Sequence, residues 1–213
     1  MPDDLGFAHR FVTPLQPQPP LTLLLLHGTG GNESDLLPLG AELAPEAAMI
    51  SPRGKVLEAG APRFFRRLAP GVLDVEDLAL RAHELADFVE RARSHYALED
   101  SRIVAVGYSN GANIASGIML LRPGLLDGAI LLRPMVPFVP AELPDLSGTR
   151  VFVAAGERDP MVPRAETERL VALLGDAGAD VEPHWHPGGH ELGREEIEEA
   201  GRWLEREGFR RSA

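Results

Sequence analysis

The stretch Arg102-Ile-Val-Ala-Val-Gly-Tyr-Ser-Asn-Gly-Ala-Asn-Ile-Ala115 decides how this chain folds. Ile103, Val104 and Val106 form a buried-strand pattern that runs into Gly107-Tyr108-Ser109-Asn110-Gly111 and then into a helical pattern. This is a G-x-S-x-G nucleophile elbow in strand–turn–helix context. So tight a turn puts Ser109 in a strained backbone conformation, and glycines two before and two after it remove side chains that would collide. The hydroxyl is raised above a sheet at a helix N-terminus, where the helix dipole favours a developing oxyanion.

A serine hydroxyl needs a base, and the base needs an orienting acid. After such an elbow the acid comes first in the chain and the histidine last. The strand Arg150–Ala155 ends in Gly156-Glu157-Arg158-Asp159-Pro160, which offers Asp159 with Glu157 as its rival. The run from Asp180 to His186 ends in Pro187-Gly188-Gly189-His190. Ser109, Asp159 and His190 are therefore expected on loops at the carboxyl edge of a parallel sheet, where such sheets place their sites. Leu21-Thr-Leu-Leu-Leu-Leu26 reads as a further buried strand, followed by the glycine-rich His27-Gly-Thr-Gly-Gly-Asn-Glu33. The backbone N–H groups of Thr29 and Asn110 are the expected oxyanion donors, and His27 is expected to brace its loop.

Strands and helices alternate along the chain, the mark of a mostly parallel α/β sheet with helices on both faces. Strands are expected near 21–26, 47–51, 102–106, 128–132, 150–155 and 180–186, and helices at 34–44, 75–96, 110–121, 163–177 and 193–206. Residues 7–13 suit an antiparallel edge strand before a Pro-rich link at 14–20, and 1–213 reads as one domain.

Two loops flank the expected site. Arg133-Pro-Met-Val-Pro-Phe-Val-Pro140 is too short for a lid domain, and Met135 could serve as an adaptable apolar wall. The segment Ser51–Arg67 carries Phe64 and Phe65 among Arg63, Arg66 and Arg67. Phe64, Phe65, Arg66 and Met135 are the expected substrate contacts. Arginine forks suit carboxylates; the alternative is that these arginines pair with Asp74, Glu76 and Asp77.

Composition narrows the field. The net charge of −11 argues against nucleic acid or anionic membrane partners. With no cysteine there is neither a disulfide nor a thiolate site. The start lacks signal-peptide features, and no apolar run approaches the ~20 residues of a membrane span, so a cytoplasmic protein is expected. His184, His186 and His190 lack a recognisable metal-ligand helix, and no metal or cofactor is expected.

The chain resembles the phospholipase/carboxylesterase family of α/β hydrolases from about Leu21 to Leu204. His27–Glu33, Ser51-Pro-Arg-Gly54, Arg63–Arg67, Gly107–Ile114, Leu132–Pro137 and Gly188-Gly-His190 resemble a bacterial branch associated with hydroquinone and aromatic-compound response. The resemblance implies a lidless α/β-hydrolase fold, a Ser109–Asp159–His190 triad and hydrolysis of small or short-chain carboxylic esters. Thioester or lactone cleavage on aromatic ring-derived compounds, or a catalytically silent ligand-binding fold, are the alternatives, and a homodimer is a possible assembly. Acyl-protein thioesterases carry glutamine after the serine; Asn110 stands here, which argues against long-chain protein deacylation.

Overall fold

The computed structural model describes residues 5–210. In chain order its elements are β1 (His9–Val12), β2 (Leu21–Leu26), α1 (Leu37–Leu43), β3 (Ala48–Pro52), β4 (Val56–Glu58), β5 (Ala61–Arg63), β6 (Arg67–Ala69), β7 (Val72–Leu73), α2 (Val75–His95), β8 (Arg102–Tyr108), α3 (Asn110–Leu121), β9 (Gly128–Leu132), β10 (Arg150–Gly156), α4 (Arg164–Asp176), β11 (Asp180–His186) and α5 (Arg194–Arg206). Seven strands form one sheet in the order β1-β3-β2-β8-β9-β10-β11. Only β1 runs antiparallel, with Phe11 opposite Ile50. This is the α/β-hydrolase fold expected above.

The strand sequences explain the layering. All six residues of β2 are buried, because helices cover both faces of a parallel sheet and its strands become continuous apolar runs. Alternate residues then feed opposite cores. Leu24, Leu26, Ala105, Leu131 and Val153 meet Leu78, Leu85 and Phe88 of α2, Ile114 and Ile118 of α3, and Leu170 of α4. Leu23, Leu25, Val106, Ile130 and Phe152 meet Leu43 of α1 and Ile197, Trp203 and Leu204 of α5. Each such leucine, isoleucine, valine or phenylalanine side chain contributes about 1.5–3 kcal/mol on burial.

Main-sheet strands and helices lie within a few residues of their expected places, the largest difference being α1. It starts at Leu37 rather than near 34, with Pro38 in its first turn, where a missing N–H costs nothing. The larger departure is the segment after β3, expected as a loop. It folds into two small antiparallel hairpins, β4–β5 and β6–β7. The first turns through Ala59 and Gly60, both at positive φ (50° and 86°). Two positive-φ residues make a two-residue hairpin turn that usually advertises itself as Asn-Gly; alanine conceals it. Between β9 and β10 the chain forms neither helix nor strand, so nothing there covers the sheet edge as a lid would. Among the described residues no helix is long and apolar enough to cross a membrane.

Candidate active site

Ser109 stands between the end of β8 and the first turn of α3, at φ 51° and ψ −109°. Its N–H donates to the Leu132 carbonyl at 2.8 Å, which fixes the turn to the neighbouring strand. The turn closes only because of its glycines. A Cβ on Gly111 would lie 1.9 Å from the Leu26 carbonyl oxygen, and one on Gly107 would lie 2.6 Å from the Gly111 oxygen. Asn110 opens the helix, so its N–H has no partner within α3.

The loops after β10 and β11 bring Asp159 and His190 to this serine. The Glu157 N–H donates to the His186 carbonyl at 2.8 Å and the Arg158 N–H to that of Gly188 at 3.0 Å, joining the two loops. Asp159 Oδ1 accepts from the N–H groups of Met161 (2.7 Å) and Val162 (3.1 Å). Its Oδ2 faces His190 Nδ1 at 2.7 Å, and His190 Nε2 lies 3.1 Å from Ser109 Oγ. An ionised carboxylate only accepts, so Nδ1 carries the imidazole proton and the Nε2 lone pair is left for the serine. The rival acid is placed elsewhere: Glu157 is half exposed and lies 3.8 Å from Arg164.

A residue unremarked in the sequence holds this arrangement from behind. Arg133, at φ 58°, is wholly buried with Glu196 in a two-bond ion pair of 2.6 and 2.8 Å. The same guanidinium donates to the Gly189 carbonyl at 2.9 Å and the Glu191 carbonyl at 2.6 Å, one on each side of His190. Glu196 also accepts from the Gly193 N–H. The signal was an arginine directly after the apolar strand Gly128–Leu132, but its partner lies 63 positions on. The Tyr108 hydroxyl adds a 3.1 Å bond to the His190 carbonyl.

The glycine-rich loop after β2 forms the opposite wall. His27 is buried; its Nε2 accepts from the Gly54 N–H at 3.0 Å and its Nδ1 lies 2.7 Å from the Gly28 carbonyl. Burial pushes its pKa down, with the Gly28 bond pulling the other way, so the neutral ring acts as a brace between two loops. Thr29 Oγ1 accepts from Arg63 Nη1 at 2.7 Å.

A cleft of about 280 Å³ lies over the serine, and Thr29, Ser109, Asn110, Met135 and His190 all line it. Three other expected contacts do not. Phe64 and Phe65 are 2% and 0% exposed within the core that faces α2, because two phenyl rings gain more from that apolar contact than from a wet cleft. Arg66 turns outward, 61% exposed, and pairs with Asp74 at 3.0 Å. Arg63 and Arg67 line the cleft instead. The two readings of the arginine cluster thus divide: Arg66 pairs with the acidic run, whereas Arg63 and Arg67 face the site. Among the described residues no three His, Asp or Glu side chains are grouped as a metal ion requires.

Comparison with known proteins gives a consistent picture. The profile of the dienelactone hydrolase family matches residues 73–199. The putative hydrolase MhqD of Bacillus subtilis (strain 168) is 49% identical over 181 residues, covering 85% of this chain and 90% of that protein. The crystal structure of the Bacillus cereus carboxylesterase superposes with a TM-score of 0.91 at 47% identity, covering 95% of each chain. YahD, solved with malic acid, superposes at 0.88 with 29% identity over 94% of this chain and 98% of its own.

Proposed function

The chain belongs to the dienelactone hydrolase family and is a hydrolase of the carboxylesterase type, and from that premise we propose that it is a serine esterase acting on small or short-chain carboxylic esters. The observation that carries this reading is the continuous chain Ser109 Oγ–His190 Nε2–Asp159, at 3.1 and 2.7 Å.

His190 Nε2 takes the Ser109 proton as Oγ attacks the ester carbonyl. Asp159 holds the Nδ1–H tautomer and stabilises the imidazolium. The N–H groups of Asn110 and Thr29 receive the oxyanion, aided by the N-terminal end of α3. The alcohol leaves with the proton from His190, and water repeats the steps to release the acid and restore the serine. Cleavage of a lactone, an internal ester, would follow the same course.

Small substrates are favoured by the size of the cleft, at the low end of ligand pockets, ~300 Å³ and upward. Malic acid, with which YahD was solved, is a small carboxylic acid, the product class of ester hydrolysis. The test is covalent labelling with a fluorophosphonate followed by peptide mass spectrometry. Stoichiometric adduct on Ser109, abolished in His190→Ala, is expected; an unlabelled protein or an adduct elsewhere removes Ser109 as nucleophile.

A further inference from the structure

The loop that offers the Thr29 N–H has glycine at 28, 30 and 31, with Gly30 at φ 85°. Such a backbone turns easily, yet an oxyanion donor works only when held about 2.7–3.1 Å from where the charge develops. Part of the stiffness comes from the loop itself. The Gly28 carbonyl shares a planar peptide unit with the Thr29 N–H. It accepts from His27 Nδ1 at 2.7 Å and from the Gly31 N–H at 3.1 Å.

The rest comes from three consecutive residues, Pro62-Arg63-Phe64, which reach both sides of the oxyanion hole. The Pro62 carbonyl accepts from the Gly30 N–H at 2.9 Å. Arg63 Nη1 donates to Thr29 Oγ1 at 2.7 Å. The Phe64 N–H donates to Asn110 Oδ1 at 2.7 Å, so the residue bearing the second donor is tied to the same segment. That segment is anchored on its far side, with Phe64 and Phe65 sunk in the core. Arg63 is 4% exposed, and its Nε donates to the Phe65 carbonyl at 3.1 Å. A Cβ on Gly54 would lie 2.3 Å from the Arg63 carbonyl oxygen. The Gly54 N–H donates to His27 Nε2 at 3.0 Å, which closes the circuit back to the glycine loop.

We infer that Pro62-Arg63-Phe64 sets the spacing of the two oxyanion donors, and that Arg63 is a positioning residue whose bond to the Thr29 hydroxyl holds the Thr29 N–H in place. This rests on the esterase reading and adds to it the residue that keeps its oxyanion hole in register. The bonds at Gly28 and Gly30 pin the peptide units before and after Thr29. The hydroxyl bond adds a third point, which stops the loop from rocking about the line between the other two.

A trifluoromethyl ketone reads the oxyanion hole directly. Ser109 Oγ adds to its carbonyl carbon, the serine proton passes to His190, and the carbonyl oxygen becomes an anion facing the donors. The methyl ketone of the same chain binds without that charge. Thr29→Val keeps the side-chain shape and removes the acceptor. Its kcat/KM for p-nitrophenyl acetate is expected to fall about 10–100-fold, the scale of a displaced donor rather than a deleted one. Inhibition by phenethyl trifluoromethyl ketone should weaken by a similar factor, while inhibition by phenethyl methyl ketone stays within about twofold. Thr29→Ser, which keeps the hydroxyl, should stay near wild type. Arg63→Met should match Thr29→Val, since Glu58 keeps its two bonds from Arg67, and the double variant should be no worse than either single one. If Arg63→Met does not fold, the two Thr29 variants decide alone. Wild-type kcat/KM in Thr29→Val, equal weakening of both ketones, or losses that multiply in the double variant overturn the inference and leave the esterase reading standing. Wild type that cleaves no ester and takes no phosphonate on Ser109 removes both.

Discussion

Arg133 and Glu196 form a fully buried ion pair, and the guanidinium of that pair holds the carbonyls on both sides of His190. The base of the proposed triad is thus positioned by a residue just past β9, two strands (β10 and β11) before it in the chain. Replacing Arg133 by Met strands the Glu196 carboxylate in the core and should cost about 3–5 kcal/mol of stability. Arg133→Met combined with Glu196→Leu removes both charges and should recover most of that stability. Its kcat should stay low with KM little changed, because the His190 loop has lost its anchor. Chemical denaturation and steady-state kinetics on the two variants separate these effects; full kcat in the double variant would show the pair to be structural only.

Asp159→Asn tests the tautomer argument. The Met161 and Val162 N–H groups would keep the asparagine oxygen, turning its NH2 toward His190 Nδ1. His190 would then carry its proton on Nε2 and face Ser109 as a donor. A fall in kcat of about 10⁴-fold is expected, with Glu157→Gln near wild type. A small effect at Asp159 would transfer the acid's role to another carboxylate.

The nucleophile turn has no slack. Because a Cβ at Gly111 would lie 1.9 Å from a backbone oxygen in β2, Gly111→Ala must push the start of α3 away from the sheet. A loss of about 3 kcal/mol, at the upper end of overpacking costs, is expected, together with loss of esterase activity. Thermal unfolding measures the first and ester hydrolysis the second; an active variant of wild-type Tm would contradict the packing.

His27 gives the fold a pH dependence of known sign. Burial holds its pKa below the ordinary value of 6.5, so the unfolded chain binds a proton that the folded chain resists. Its contribution is fully present above pH about 6.5 and is lost as the pH falls below that value. Urea unfolding at a series of pH values should show wild type weakening as the pH falls from about 7 to about 5, with a smaller slope in His27→Gln. Equal slopes would mean that His27 is not held neutral by the fold.

What the residues disclosed in advance follows a physical line. The sheet was legible because strands buried on both faces, such as Leu21–Leu26, leave little ambiguity. Ser109, Asp159 and His190 were legible because strand ends and chain order place them together without any knowledge of packing. Arg133 was not, since its partners are backbone carbonyls and a glutamate on α5, joined to it only by the tertiary fold. Phe64 and Phe65 looked like cleft residues because they sit beside arginines. Their destination was set by the apolar stripe of α2, with Leu78, Leu85 and Phe88 in the same core. The first hairpin is hidden in the sequence because Ala59 occupies a positive-φ position that local sequence rules assign to asparagine or glycine.

Hydrolysis of p-nitrophenyl acetate by wild type and Ser109→Ala under identical conditions decides whether Ser109 is the nucleophile. Wild type is expected to turn over steadily and Ser109→Ala to lose nearly all turnover while remaining folded by circular dichroism. Turnover retained by folded Ser109→Ala would contradict the assignment of Ser109 as the nucleophile.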